Sequence, residues 1–157
     1  MQRGYCGIGI VGCKTKVNSG TLWRSAHLFG AAFLVMIGPR YAVCKAREAS
    51  DTTNARGHLP TFTFPDVGTF LQHGRPFDCP LIAVEQTPEA RPLETFTHPL
   101  RALYLLGAED RGLPDLVLNR AQHIVSIATP TCLNVAVAGS LVLYDRHVKQ
   151  GGTRCQP

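Results

Sequence analysis

The chain has 157 residues and a formal net charge of +5, enough for one domain with a real core but not for two full ones. Its most hydrophobic run, LFGAAFLVMIG, has eleven residues and falls far short of the roughly 20 that a membrane-spanning helix needs. Six scattered cysteines with no C-x-x-C pair, no histidine at zinc spacing and no secretory signal exclude a zinc module and a disulfide scaffold, and predict reduced thiols in a metal-free cytoplasmic protein.

Charge is unevenly spread. Residues 1–60 hold eight Lys/Arg against two acids, whereas residues 61–120 hold five against eight. A positive field at the amino-terminal end attracts a phosphate backbone, although a solvated surface is the commoner meaning of such an excess.

Taken in order, Tyr5–Gly12 is apolar, rich in small residues and predicted as an interior strand. It contains Gly7-x-Gly9-x-x-Gly12, the spacing of a dinucleotide fingerprint. That fingerprint follows a strand, opens a helix and has an acid about twenty residues on; here only six residues precede Gly7 and no carboxylate occurs before Glu48. Ser19–Ala31 is predicted as a helix with Leu22, Ala26 and Phe29 on one face, and AFLVMIG as a second buried strand. Residues 39–60 are polar and basic, including Arg40 and Arg56, and are expected to form a long RNA-contacting loop with one helical turn. A strand at Thr61–Phe64, a helix at Asp66–Gln72 and a strand at Pro80–Glu85 follow, the last ending where Val84-Glu85-Gln86 can face a ligand. Residues 86–99, with three prolines, are expected at a sheet edge.

The most informative stretch is 103–145. LYLLG and IVSI have the continuous apolar character of strands buried on both faces of a parallel sheet. Each is followed by an unusual loop: Gly107-Ala108-Glu109-Asp110-Arg111-Gly112 after the first, and Ala128-Thr129-Pro130-Thr131-Cys132-Leu133 after the second. Ligands of open α/β sheets lie beyond the carboxyl ends of strands, so these loops are the candidate site. Asn134 is a plausible N-cap for VAVAGSLVLYDRHVK. In that helix Val137, Leu141 and Tyr144 follow helical spacing, and Ala136, Ala138, Gly139 and Ser140 let another backbone approach. The predicted class is α/β, a single domain with a parallel sheet flanked by helices, and residues 151–157 as a flexible tail.

Three strings give this pattern an identity. GAEDRGLP, followed about twenty residues on by I-x-x-P-x-x-LNVAVA, resembles the second and third signature motifs of the SpoU (TrmH-type) family of SPOUT RNA 2′-O-ribose methyltransferases. The first motif, roughly N-x-G-x-x-x-R-x-A-x-x-F-G, is matched by Asn18–Gly30. The resemblance implies a carboxyl-terminal trefoil knot, S-adenosylmethionine as methyl donor and an RNA ribose 2′-hydroxyl as acceptor. By position in the motifs it implies cofactor contacts from Val84, Gly107, Glu109, Ile127, Cys132, Leu133 and Asn134. Relatives commonly carry serine where Cys132 stands, which puts cofactor affinity in question.

The family assigns catalysis to the arginine of the first motif, here Arg24, with Asn18 orienting Arg24 or the loop. A neutral guanidine at pH 7 costs on the order of 8 kcal/mol, so Arg24 is read as a cation that favours the developing alkoxide. Glu109 and Arg111 are read as pairing or positioning RNA, and Lys14, Lys16, Arg40, Arg56 and Arg111 as RNA contacts. With no further RNA-binding domain ahead of the first motif, capture is expected to rely on the core, its basic loop and a second subunit. Trp23, Phe29 and the Ala136-x-x-x-Ser140 strip are the expected dimer faces, and Arg24 of one chain is expected to serve the Asn134 loop of the other. This minimal form resembles relatives acting on tRNA, the wobble-position enzymes included. Ribosomal RNA as substrate, a non-catalytic RNA-binding protein keeping the fold, and a nucleotide-dependent oxidoreductase are the rival readings.

Overall fold

The structure, a computed structural model, describes residues 4–38, 54–73 and 75–152. Seven parallel strands form one sheet: β1 (Tyr5–Val11), β2 (Phe33–Ile37), β3 (Thr61–Phe64), β4 (Leu81–Val84), β5 (Arg91–Pro92), β6 (Arg101–Gly107) and β7 (His123–Ser126), in the spatial order β3-β2-β1-β6-β4-β7-β5. The helices are α1 (Lys16–Leu28), α2 (Ala55–His58), α3 (Val67–His73), α4 (Asp115–Leu118) and α5 (Val135–Lys149). Among the described residues no helix is long and apolar enough to cross a membrane, and no group of three or more His, Cys, Asp or Glu is placed to hold a metal.

Alternation along the central strands explains their unbroken hydrophobicity. Ile8, Ile10, Tyr104 and Leu106 face a core shared with Leu22, Trp23 and Ala26 of α1 and Val142 and Leu143 of α5. Leu103, Leu105, Leu81 and Ala83 face the opposite core with Phe33, Phe70 and Val117. Both faces of the sheet are thus dry, as a parallel sheet requires. The glycines of the false fingerprint serve this packing: a Cβ on Gly7 would stand 2.2 Å from the Phe33 ring, and one on Gly9 2.6 Å from the Val35 carbonyl oxygen.

Helix α1 starts at Lys16 rather than Ser19, because Thr15 is its cap: the Thr15 side chain accepts from the Asn18 backbone N–H. It ends at Leu28, and Gly30 at φ +76° turns the chain toward β2. Helix α5 occupies the predicted residues with Asn134 as its N-cap, but its buried face is Val135, Ala136, Gly139, Val142, Leu143 and Arg146. Val137, Leu141, Tyr144 and Val148 are left exposed. Gly139 admits Leu22 of α1, whose Cδ1 lies 2.4 Å from where a Cβ would be, and the Ser25 and Ser140 hydroxyls are hydrogen-bonded at 2.7 Å. The small-residue strip therefore packs α5 on α1 of the same chain. Trp23 is fully buried and Phe29 packs on Tyr144 and His147, so the expected dimer faces are used internally.

A buried polar network ties the end of α5 to the segment before β6. Arg146 donates to the carbonyls of Pro99 and Leu100, both at 2.7 Å, and to Tyr104 Oη at 3.1 Å. His98 lies 2.6 Å from Tyr104 Oη through Nδ1 and 2.8 Å from Asp145 Oδ2 through Nε2. Burial pushes the Tyr104 hydroxyl well above its ordinary range, so it stays protonated. It donates to His98 Nδ1, which places the imidazole proton on Nε2 and aims it at Asp145.

The helical turn expected within 39–60 is α2, and Ala55 is buried. Residues 39–53, with Arg40, lie outside the described residues, as do residues 153–157 of the expected tail. Residues 86–99 do lie at an edge, as the two-residue strand β5 and a 3-10 turn at Leu93–Thr95.

Candidate active site

The strand order places β6, β4 and β7 side by side, with Val84 in register with both Leu106 and Val125. The loops leaving these strands therefore converge at one end of the sheet. Between them lies a pocket of about 430 Å³. Val84, Gly107, Glu109, Ile127, Cys132 and Leu133, all expected from the motifs, line it, and so do Arg111 and Leu106.

The loop after β6 is a tight turn held by its own backbone. The Gly112 N–H donates to the Ala108 carbonyl at 2.8 Å, and Gly112 sits at φ +63°, a conformation glycine adopts without strain. A Cβ on Gly107 would stand 2.0 Å from the Gly112 carbonyl carbon. The two glycines thus let the loop double back on the strand end and present Glu109.

Glu109 is the meeting point of all three motifs. Its Oε1 accepts from Asn18 Nδ2 at 2.9 Å and from Asn134 Nδ2 at 2.7 Å, and Asn134 Nδ2 also donates to Asn18 Oδ1 at 2.9 Å. Asn134 Oδ1 accepts from the backbone of Ala136 at 2.9 Å and Val137 at 3.4 Å. Every polar atom of the Asn134 side chain is thus engaged, and the Glu109 carboxylate lies at the amino-terminal end of α5, where the helix dipole favours an anion.

Asn134 does not line the pocket; it fixes the wall that does. Asn18, expected to orient Arg24 or the loop, holds the loop, and Glu109 joins these two amides rather than Arg111. Lys14, expected on RNA, forms an ion pair with Asp110 at 3.1 Å that braces the same loop. Lys16 is exposed at the start of α1, and the side chain of Arg56 lies outside the described residues.

Arg24 is exposed, one face of α1 carrying it with Val17, Thr21 and Leu28. It does not line the pocket of its own chain, and it has no hydrogen bond or ion pair among the described residues. Glu85 and Gln86, in the strand end expected to face a ligand, also line the pocket; they directly follow β4 and fall outside the three signature motifs. Glu85, Glu109 and Asp110 leave the wall acidic, Arg111 being the single Lys or Arg among its described residues.

A parallel α/β sheet with three strand-end loops around one acidic pocket defines a small-molecule-binding domain of the doubly covered kind. The model of the SpoU rRNA Methylase family matches residues 7–144, and the chain belongs to that family. A mouse relative, tRNA (guanosine(18)-2′-O)-methyltransferase TARBP1, is 29% identical over 133 residues, which is 82% of this chain and only 8% of the relative. Among solved structures, the SpoU methyltransferase AviRb from Streptomyces viridochromogenes in complex with the cofactor AdoMet superposes with TM-score 0.79 at 22% identity, over 96% of this chain and 62% of that one. The A. aeolicus TrmH/SpoU tRNA modifying enzyme gives 0.79 at 16% identity, over 96% and 77%. A protein studied for 2-OH methylation of C/U34 on tRNA gives 0.77 at 22% identity, over 97% and 100%. These likenesses carry the fold, the family match carries the family, and the chain spans only a small part of the mouse relative.

Proposed function

We propose that this chain transfers a methyl group from S-adenosylmethionine to a ribose 2′-hydroxyl of RNA, with tRNA the favoured substrate, and works as a two-fold dimer. The observation that carries the reading is the Asn18–Glu109–Asn134 triangle, which joins the three motifs at the mouth of the pocket.

The residues present fit the donor. Val84, Leu106, Ile127 and Leu133 offer an apolar slot, and Glu85, Glu109 and Asp110 suit a ligand bearing positive charge. The same carboxylates disfavour the phosphates of a dinucleotide, which argues against the oxidoreductase reading. When bound, S-adenosylmethionine supplies an activated methyl group on a cationic sulfur.

A ribose hydroxyl is a weak nucleophile at neutral pH and needs its developing alkoxide stabilised. Arg24 is exposed and available to hold that hydroxyl, or it together with an adjacent phosphate, while the proton passes to phosphate or water. Lys16 and Arg111, both exposed, are available to meet the RNA backbone. Because Arg24 stands off its own pocket, the reading takes it to act on the pocket of a partner chain. The exposed stripe Val137–Leu141–Tyr144–Val148 of α5 supports such a partner, since four apolar residues at helical spacing face solvent beside α1. Chain order supports the trefoil knot of the family: β6 inserts between β1 and β4, and α5 returns to pack on α1. Activity on tRNA draws support from the mouse relative and the two tRNA-related structures.

The test is direct. Purified protein, S-adenosylmethionine and total RNA are incubated, and ribose methylation is mapped with and without the protein. New 2′-O-methylation in tRNA is expected; modification confined to ribosomal RNA moves the substrate, and cofactor binding with no methylation of any RNA favours the non-catalytic reading.

A further inference from the structure

We propose that Glu85 and Gln86, adjacent at the carboxyl end of β4, are positioning residues that hold the two walls of the pocket at a fixed separation, each gripping a different loop. The inference rests on the reading of this pocket as the S-adenosylmethionine site.

The geometry divides the work cleanly. Glu85 reaches one way: its Oε2 accepts the Leu113 backbone N–H at 2.8 Å and lies 2.7 Å from where a Cβ on Gly112 would be. It thereby fastens the far end of the loop that carries Glu109. Gln86 reaches the other way, its Nε2 donating to the Ile127 carbonyl and to Thr129 Oγ1, both at 3.1 Å. Thr129 passes the connection on by donating to the Thr131 carbonyl at 2.8 Å, next to Cys132. Consecutive residues leaving a strand diverge to opposite sides, so two neighbours suffice to hold both loops. Neither loop has a regular ladder at these points, and its backbone groups need such partners.

The two arms predict different kinetic signatures. Loss of the Gln86 arm frees the loop bearing Cys132 and Leu133, which line the pocket and are assigned to cofactor rather than to RNA. Gln86→Ala should therefore weaken S-adenosylmethionine binding by about tenfold, raise its KM similarly and lower kcat far less. Gln86→Glu should be worse than Ala, because a carboxylate cannot donate and faces the Ile127 carbonyl. Thr129→Val removes the second anchor and should fall between Ala and wild type. Loss of the Glu85 arm frees the loop holding Glu109, so Glu85→Ala should lower kcat as well as affinity. Glu85→Gln keeps an acceptor for the Leu113 N–H and should recover most of both.

Calorimetry with S-adenosylmethionine alone, with melting curves on each variant, reads the binding part without RNA. Wild type that fails to bind overturns the site assignment itself. Wild type that binds while Gln86→Ala and Thr129→Val bind equally well overturns the positioning role and leaves the site intact. Glu85→Gln as damaging as Glu85→Ala would show that the carboxylate acts through its charge and not by holding the loop.

Discussion

Asn134 and Glu109 meet at 2.7 Å, and the same asparagine that donates to this carboxylate also caps α5 through its Oδ1. One side chain thus couples helix initiation to the placement of the loop after β6. The two jobs use different atoms and can be separated. Asn134→Ala loses both, with a capping cost of about 1 kcal/mol or about 2–4 °C for a domain of this size. Asn134→Asp keeps the cap but loses the donor and sets a second carboxylate against Glu109. The expected result is a melting temperature closer to wild type for Asp than for Ala, with methyl transfer severely reduced in both. Full activity in Asn134→Asp would remove the coupling.

Cys132 is exposed at the pocket, not packed in a core. Replacing it with serine puts a stronger neutral hydrogen-bonding group on the pocket wall. A net gain of about 1 kcal/mol corresponds to about fivefold tighter S-adenosylmethionine binding with an unchanged melting curve. Calorimetry that found weaker binding would show that thiol contacts in the pocket matter more.

Much of the strand pattern was legible because a parallel sheet covered on both faces needs continuous apolar runs, and LYLLG or FLVMI have no other comfortable place. The faces of α5 were not. Val137, Leu141 and Tyr144 make as good a helical stripe as Val135, Val142 and Leu143, and periodicity alone does not say which stripe the chain covers with itself. The small residue Gly139 decides it, since only that side lets Leu22 of α1 approach. Arg146 was equally hidden: its partners are the carbonyls of Pro99 and Leu100, 47 and 46 residues away in the chain. The motif residues of the site were legible through resemblance, but the contacts among Asn18, Glu109 and Asn134 belong to tertiary structure, as do the grips of Glu85 and Gln86.

Acid should loosen the carboxyl-terminal helix through His98. Burial holds this imidazole below its ordinary pKa, Arg146 and Lys149 push the same way, and Asp145 opposes them. Tyr104 occupies Nδ1, so a proton arriving there displaces a hydrogen bond. The folded-state pKa is depressed, so the stabilisation is fully present above the ordinary histidine value of about 6.5 and is lost as pH falls through the lower folded value. Melting temperature should therefore drop below about pH 6.5 more steeply in wild type than in His98→Gln. Parallel curves for the two proteins would assign the acid sensitivity to other groups.

Arg24 is argued to act in the transition state and not in cofactor binding, and its absence from the pocket lining agrees with that. Arg24→Ala should abolish most methyl transfer while leaving the S-adenosylmethionine Kd within about twofold. Arg24→Lys should rescue little, because a point charge replaces a planar fork able to hold a hydroxyl and a phosphate together. Restoration of full activity by lysine would remove the argument from geometry.

The proposed sharing of the site between two chains makes the strongest prediction. Val137, Leu141, Tyr144 and Val148 form the exposed stripe of α5, and Arg24 stands on the exposed face of the neighbouring α1. A partner covering that stripe would bring the Arg24 of one chain toward the pocket loops of the other. Leu141→Asp or Tyr144→Asp, both on the exposed face, should yield folded monomers by sedimentation that have lost methyl transfer. Complementation then asks whose arginine serves which pocket. Arg24→Ala protein is mixed with Gly107→Ala protein, in which the new Cβ collides with the Gly112 backbone and the pocket loop must shift. Random exchange makes about half the dimers mixed, each with one intact composite site of two, so activity should return to about a quarter of wild type. Adding Tyr144→Asp to both partners should abolish the recovery. Confirmed subunit exchange with no recovered activity would mean that each site is built within one chain, and Arg24 would then need a conformational change to reach its own pocket.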